Sequence, residues 1–118
     1  MLGFPRASRM LHASEFASTL KTRPAARSTF LVLNHKRASS DERARLGLIV
    51  PKRFLKQSVS RNAVKRVLRE GFRRNQHRLA PGMYAFRVHA NPGALSLTQL
   101  KQLVFQESER IFRRLASS

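Results

Sequence analysis

The chain has 118 residues, a length that suits one compact domain, and its 42% of apolar residues can supply a modest core. Lysine and arginine number 24 against six acidic residues, so the formal net charge is +18. The absence of cysteine excludes disulfides, thiolate metal sites and thiol catalysis, and it fits a reducing cytoplasm. No apolar run predicts a membrane span. Because charge of one sign opposes folding, the excess indicates a polyanionic partner.

The first half of the chain predicts a basic arm, a short helix and two strands. Residues 1–12 are expected to form a flexible basic arm. A helix follows, which Ser14 can cap and which Pro24 prevents from continuing. The β-rich run 29–35 and the alternating run 45–50 are separated by a polar loop. We expect these two strands to pair as an antiparallel hairpin.

The second half predicts a long helix, a third strand and a closing helix. The long helix covers about residues 60–78, and a strand follows over 84–89. Ser96 and Gln99 form the S-x-x-Q capping box of a last helix over about 97–115. The order α-β-β-α-β-α predicts a single α+β domain without repeats or a flexible linker.

The stretch SRNAVKRVLREGFRR, residues 60–74, predicts a helix with one apolar side and one cationic side. Its apolar positions are Val64, Val67, Leu68, Gly71 and Phe72. On the other side, Arg61, Lys65 and Arg69 form one column, flanked by Arg66 and Arg73. Like charges one turn apart repel by about 0.2–0.5 kcal/mol per pair, so such a stack makes most sense where phosphates fill the gap.

No residue pattern predicts catalysis by this chain. The six acidic residues show no metal-ligand spacing, and the four histidines are scattered. Glu107 and Glu109 lie two apart on a helix and are not expected to face each other. The sequence contains no Gly-rich phosphate loop and no nucleophile motif. The residues alone therefore indicate a nucleic-acid binder, with some aromatic residues free to stack on bases and others, such as Phe105 and Phe112, expected to pack.

The segment RNAVKRVLREGFR resembles the R-N-x-x-K-R-x-x-R-E signature of the bacterial ribonuclease P protein component. The similarity extends to GFPRASRMLHASEF and RLGLIVPKR, and so covers nearly the whole chain. It implies a single-domain α+β sandwich with a small, mainly antiparallel sheet and three helices. It also implies a left-handed β-α-β crossover that contains the signature, as in the second domain of a small-subunit ribosomal protein.

The resemblance also implies a function as one subunit of an endoribonuclease. Such a protein binds the catalytic RNA, ribonuclease P RNA, and the 5′ leader of precursor tRNA. It aids hydrolytic removal of the leader, which gives the mature 5′ end. The RNA performs the chemistry with Mg²⁺ that it mainly holds itself. We therefore expect no catalytic residue, metal site, membrane contact or obligate protein partner in this chain, and a cytoplasmic location.

The match also carries site residues onto this sequence. Those implied to bind the catalytic RNA are Lys52, Arg53, Arg61, Asn62, Lys65, Arg66, Arg69 and Arg73. Those implied to bind the precursor-tRNA leader are Phe16, Leu20, Phe30 and Leu33. The alternative is a structural RNA-binding protein, such as a ribosomal protein. A self-sufficient nuclease lacks the acidic clusters it would need, and a DNA-binding protein has no helix-turn-helix to support it.

Overall fold

The structure is a computed structural model that describes residues 13–37 and 43–116. The elements in chain order are α1 (Ala13–Leu20), β1 (Pro24–Arg27), β2 (Leu31–Arg37), β3 (Arg45–Ile49), α2 (Ser58–Asn75), a 3-10 turn (Gln76–Arg78), β4 (Gly82–Val88) and α3 (Leu97–Ala116). All three predicted helices are confirmed. The predicted flexible arm, residues 1–12, lies outside the described residues.

The four strands form one mixed sheet in the order β1-β2-β4-β3. Strand β2 is antiparallel to both β1 and β4, whereas β3 is parallel to β4. The sheet is therefore mainly antiparallel, as expected, and β3, α2 and β4 form a β-α-β unit. The predicted hairpin between the runs 29–35 and 45–50, which form β2 and β3, is wrong, because β2 pairs with β4 from Leu31↔Val88 to Arg37↔Gly82. Both β2 and β4 contain runs of buried residues and occupy the centre, while β3 lies at an edge.

Strand β1 was not predicted. Its sequence, PAAR, has little β-propensity, and its pairing with β2 is irregular between Pro24 and Ala26. Proline lacks the amide donor that a central strand needs, so an edge is where it can be accommodated. Beyond β1, the chain turns back at Ser28, whose amide donates to the carbonyl of Leu31 at 2.8 Å.

The two faces of the sheet are covered by different helices. On the face towards α2 and α3, the core contains Leu31, Leu33, Tyr84, Phe86, Val88, Phe72 and Phe112. On the other face, the Asn34 side-chain amide donates to the carbonyl of Thr22 at 2.8 Å, and Lys36 donates to the Ser18 hydroxyl in α1. The sheet is thus the middle layer between α1 and the α2–α3 pair.

Helices α2 and α3 pack closely at Gly71. A Cβ atom at this position would lie 2.8 Å from Cε2 of Phe112, so the buried ring would have to shift to admit any larger residue. Phe112 also meets Phe86 edge-on, with 5.4 Å between ring centroids. The predicted apolar seam of α2 is confirmed, since Val64 and Leu68 are buried with Gly71. The helix therefore binds the core with one side and leaves its other side to solvent.

The closing helix α3 is fixed at its start and in its middle. The predicted capping box is confirmed: the Ser96 amide donates to Gln99 Oε1 at 2.9 Å, and the Gln99 amide donates to Ser96 Oγ at 3.1 Å. Further along, the buried Glu107 carboxylate accepts hydrogen bonds from the Ser28 hydroxyl and from the Phe30 amide. Glu107 thereby ties α3 to the turn between β1 and β2.

Candidate nucleic-acid interface

The outer side of α2 displays a line of exposed polar residues. Asn62, Arg66, Arg69 and Arg73 follow one another at intervals of four, three and four residues, and all are exposed. These intervals place them on one face of a helix. We call this line the α2 ridge. Lys65, beside it, is half-buried.

Arg61, the first cation of the signature, faces inwards. Its Nη1 atom donates to the carbonyl oxygens of Leu55, at 2.9 Å, and of Lys56, at 2.8 Å. The guanidinium therefore closes the connection between β3 and α2 onto the start of the helix. Arg61 was expected among the RNA ligands, and the structure gives it a positioning role as well.

The connection itself carries the basic pair. Lys52 and Arg53 are both exposed on a turn that the Phe54 amide closes by donating to the Pro51 carbonyl at 3.2 Å. The Arg53 guanidinium carbon lies 4.8 Å from the centroid of the Phe54 ring, which orients the side chain. The predicted basic pair and the α2 ridge thus belong to consecutive segments that Arg61 joins.

The acidic residues near this surface are engaged with cations. Glu70 accepts a hydrogen bond from Arg73 at 3.0 Å, and both side chains are exposed, so the pair contributes little to stability. Glu109, on α3, pairs with Arg74 and thereby links the two helices. Glu107 faces the sheet, so the two neighbouring carboxylates of α3 point to different partners, as predicted. Because these carboxylates are few and lie apart from one another, the surface remains strongly cationic.

The four residues predicted to bind the leader lie on different sides of the sheet. Phe16 and Leu20 are half-buried on α1. Phe30 is 2% exposed and Leu33 is 0% exposed, within the core that α2 and α3 cover. Leu33 pairs with Phe86 in the sheet, so its side chain lies on the face opposite to the one that α1 covers. Phe30 and Leu33 therefore stabilise the core and offer a leader no surface in this structure.

Two polar residues on the α1 side of the sheet were missed by sequence reasoning. Asn34 is 2% exposed, and its Oδ1 atom has no hydrogen-bond partner among the described residues; the same holds for the buried Nε of Arg87. Asn34 is paired with Ala85 and Arg87 with Val32, so the two side chains share one face as diagonal neighbours. The alternation of β2, which separates Asn34 from Leu33, is the signal that points to this face.

The described residues contain no built metal centre. Within 13–37 and 43–116, no three His, Cys, Asp or Glu side chains come together as ligands. His35 stacks on Tyr84 at 4.0 Å between ring centroids, and burial lowers its pKa. His89 Nε2 lies 3.0 Å from the Ser28 carbonyl. These histidines have structural contacts, and the carboxylates described above are bound to cations or backbone, so the residues do not fit a Mg²⁺ site.

No helix within the described ranges has the length and apolarity needed to cross a membrane.

Comparison with known families identifies the family of the chain: the family model described as Ribonuclease P matches residues 4–116. The chain belongs to the ribonuclease P protein family. Its fold class, its signature helix and its charge agree with this membership.

Similar proteins support the family over almost the full length. The ribonuclease P protein component of Bordetella avium is 40% identical over 113 residues, covering 95% of this chain and 94% of the relative. That of Bordetella petrii is 38% identical over 115 residues and covers 94% of each chain. The solved RNase P protein of Staphylococcus aureus has a TM-score of 0.72 at 19% identity and covers 93% of this chain and 99% of its own. The Thermotoga maritima protein, with a TM-score of 0.63 at 20% identity, covers 86% and 96% and supports the same fold.

Family membership makes this chain a protein subunit of bacterial ribonuclease P, an endoribonuclease that removes the 5′ leader in tRNA processing. Its partner is the catalytic RNA of that holoenzyme. The expectation from the signature is therefore confirmed at the level of family, fold and RNA partner. The structure shows which of the predicted site residues are exposed and which are buried.

Proposed function

We propose that the protein docks the catalytic RNA with the α2 ridge and the basic connection, and holds the leader of precursor tRNA on the α1 side of the sheet. The observation that carries the first part is the α2 ridge itself: Arg66, Arg69 and Arg73 are exposed in a line, while the opposite side of α2 is buried. Arginine presents a planar fork that fits phosphate oxygens. Such a line suits a sugar-phosphate backbone, with Asn62 able to bond a base edge or a phosphate.

The proposed leader site combines an apolar rim with a cation. Phe16 and Leu20 on α1 supply partly exposed apolar surface, and the half-buried Arg87 supplies a guanidinium on the face of the sheet that α1 covers. A guanidinium is a donor that suits the phosphates of a leader. A single-stranded leader has bases that can stack and edges that can form hydrogen bonds.

The proposed mechanism is electrostatic and positional. Cations on the protein neutralise phosphates of both RNAs, so the complex forms at a lower Mg²⁺ concentration. Leader contacts favour precursor over mature tRNA, which lacks the leader. We assign Mg²⁺ to the RNA, because the described residues do not fit it. A protein with these two RNA partners works where bacteria make them, in the cytoplasm.

Cleavage of precursor tRNA at low Mg²⁺ by the catalytic RNA, with and without this protein, tests the proposal. We expect strong stimulation with the protein and no cleavage by the protein alone. Replacement of Phe16 by alanine is expected to reduce the preference of the holoenzyme for precursor over mature tRNA, with unchanged affinity for the catalytic RNA. A folded protein that gives no stimulation would contradict the proposal and favour a structural RNA-binding protein.

A further inference from the structure

A cavity of about 400 Å³ lies between the first half of α2 and the first turns of α3. Its apolar lining comes from Val59, Ala63 and Leu97. Its charged lining consists of Arg66, Arg69 and Lys101, with no acidic residue. The volume falls within the range of about 300–1,000 Å³ that is usual for small-molecule sites. The α2 ridge therefore forms one wall of a pocket that combines apolar and cationic side chains.

Exposed apolar residues lie at this pocket and near it. The large hydrophobic residues that are exposed within the described ranges are Val59, Leu95, Leu97 and Phe105. Two of them line the cavity. Phe105 was expected to pack, but it is 48% exposed, and Leu97 is 38% exposed. Apolar side chains grouped in this way mark a binding surface more often than single ones do.

The surface continues along α3 beyond the cavity. Leu97, Lys101 and Phe105 follow at intervals of four residues, so they lie on one face of the helix. The Arg74 guanidinium carbon lies 5.5 Å from the centroid of the Phe105 ring. Val59 and Leu97 line the cavity at the starts of the two helices, and Arg74 meets Phe105 further along both. We call the surface from the cavity to Phe105 the α2–α3 groove.

We infer that the α2–α3 groove binds unpaired nucleotides of the catalytic RNA, with one base in the cavity and another stacked on Phe105. This inference rests on the proposed docking of that RNA to the α2 ridge, and it adds the structural state of the RNA that is recognised. Charge complementarity selects the occupant, because three cations and no acid surround the cavity.

The mixture of cations and apolar groups distinguishes unpaired RNA from other ligands. An RNA duplex presents phosphates and 2′-hydroxyls and keeps its bases stacked, so it would leave Leu97 and Phe105 without partners. Unpaired nucleotides present phosphates to arginine and base faces to apolar or aromatic side chains. The groove provides both within one surface.

Chemical probing of unpaired bases in a transcript of the catalytic RNA tests this inference, together with the dissociation constant of the complex. The variants are Leu97→Ser and Phe105→Ala. Leu95→Ser is the matched control, because Leu95 is 39% exposed, two residues from Leu97, and does not line the cavity. All three positions are exposed, and circular dichroism verifies that each variant is folded.

We expect the native protein to protect a few unpaired bases from modification. Phe105→Ala should restore reactivity at one set of them and weaken binding about tenfold, the usual loss when a stacked base is removed from an aromatic ring. Leu97→Ser should restore another set and weaken binding at least about fourfold, the equivalent of one buried methylene group, because the change removes more than one carbon. Leu95→Ser should behave like the native protein.

Two results would overturn the inference. In one, both groove variants keep every base protection of the native protein. In the other, the RNA binds tightly with no base protected. That result is expected if the protein recognises an RNA duplex, or if the groove binds a peptide instead. The same samples are assayed for stimulation of precursor-tRNA cleavage. Stimulation without groove-dependent protection contradicts the inference alone, whereas native protein that neither binds nor stimulates contradicts the proposed function as well.

Discussion

Arg61 and Arg66 belong to the same basic signature but have different surroundings. Arg61 is half-buried and donates to two backbone carbonyls of the connection, whereas Arg66 is exposed on the α2 ridge. Hydrogen bonds from a charged donor are worth more than neutral ones, and the two carbonyls would lose theirs on truncation. The first arginine of the signature therefore fixes the end of the connection at Leu55 and Lys56, whereas the later one is exposed.

This difference predicts separate effects on stability and on affinity. Arg61→Ala should lower the free energy of unfolding by about 1 kcal/mol or more and also weaken binding of the catalytic RNA. Arg66→Ala should weaken that binding while leaving the free energy of unfolding within about 0.5 kcal/mol of the native value. Urea unfolding and dissociation constants check both variants. Equal stability losses at the two positions would show that Arg61 has no special positioning role.

His35 predicts a pH dependence of stability. Burial lowers its pKa below the ordinary 6.5 and nearby Arg37 adds to this, while the Pro81 carbonyl, 3.4 Å from Nε2, partly opposes it. The folded protein therefore takes up the proton later than the unfolded chain as the pH falls. The stabilisation that neutral His35 contributes is therefore full above pH 6.5 and declines as the pH falls below that value. Urea unfolding at several pH values should show this decline in the native protein and in the control His77→Gln, and a smaller decline in His35→Gln. An unchanged decline in His35→Gln would contradict the assignment.

At the scale of elements, the packing of α2 on α3 depends on Gly71. An alanine there would gain about 1 kcal/mol of helix propensity but would press a methyl group into the Phe112 ring. Overpacking of this kind typically costs about 1–3 kcal/mol, so we expect Gly71→Ala to lower the free energy of unfolding by about 1 kcal/mol. Urea unfolding checks this prediction, and the pair Gly71→Ala with Phe112→Leu should show a favourable coupling. A stabilised single variant would mean that the ring moves aside freely.

The sequence predicts helices better than it predicts strand pairing. The spacing of Val64, Leu68 and Phe72 indicates both the helix and its buried side, because helical periodicity is local. Pairing of β2 with β4 joins residues about fifty positions apart, and no local pattern specifies it. Strand β1 has neither alternation nor β-propensity, and it exists because β2 offers an unpaired edge.

The candidate site shows the same division. The exposed positions of the α2 ridge follow from helical spacing. The inward turn of Arg61 depends on where the connection folds, and the exposure of Leu97 and Phe105 depends on how far α2 covers α3. The burial of Leu33 depends on which face of the sheet each helix occupies. These properties arise from tertiary contacts, which a single sequence does not display.

At the scale of the whole molecule, the sheet separates two candidate RNA surfaces. The α2 ridge and the α2–α3 groove belong to one side, and α1 with Asn34 belongs to the other. A protein with a net charge of +18 can thereby meet two RNA molecules without one excluding the other. In this account, the small chain stabilises its complex with the two RNA molecules by neutralising phosphates on both sides of the sheet.

The salt dependence of catalytic-RNA binding tests the central claim, that the α2 ridge contacts phosphates of this RNA. The comparison uses native protein, the double variant Arg66→Ala with Arg69→Ala, and the control Arg110→Ala with Arg113→Ala, which removes the same charge from exposed positions of α3. We predict that the logarithmic salt slope becomes shallower by about 1.4–1.8 in the ridge variant, as for two lost phosphate contacts, and stays near the native value in the control. Equal slopes in the ridge and control variants would contradict the account.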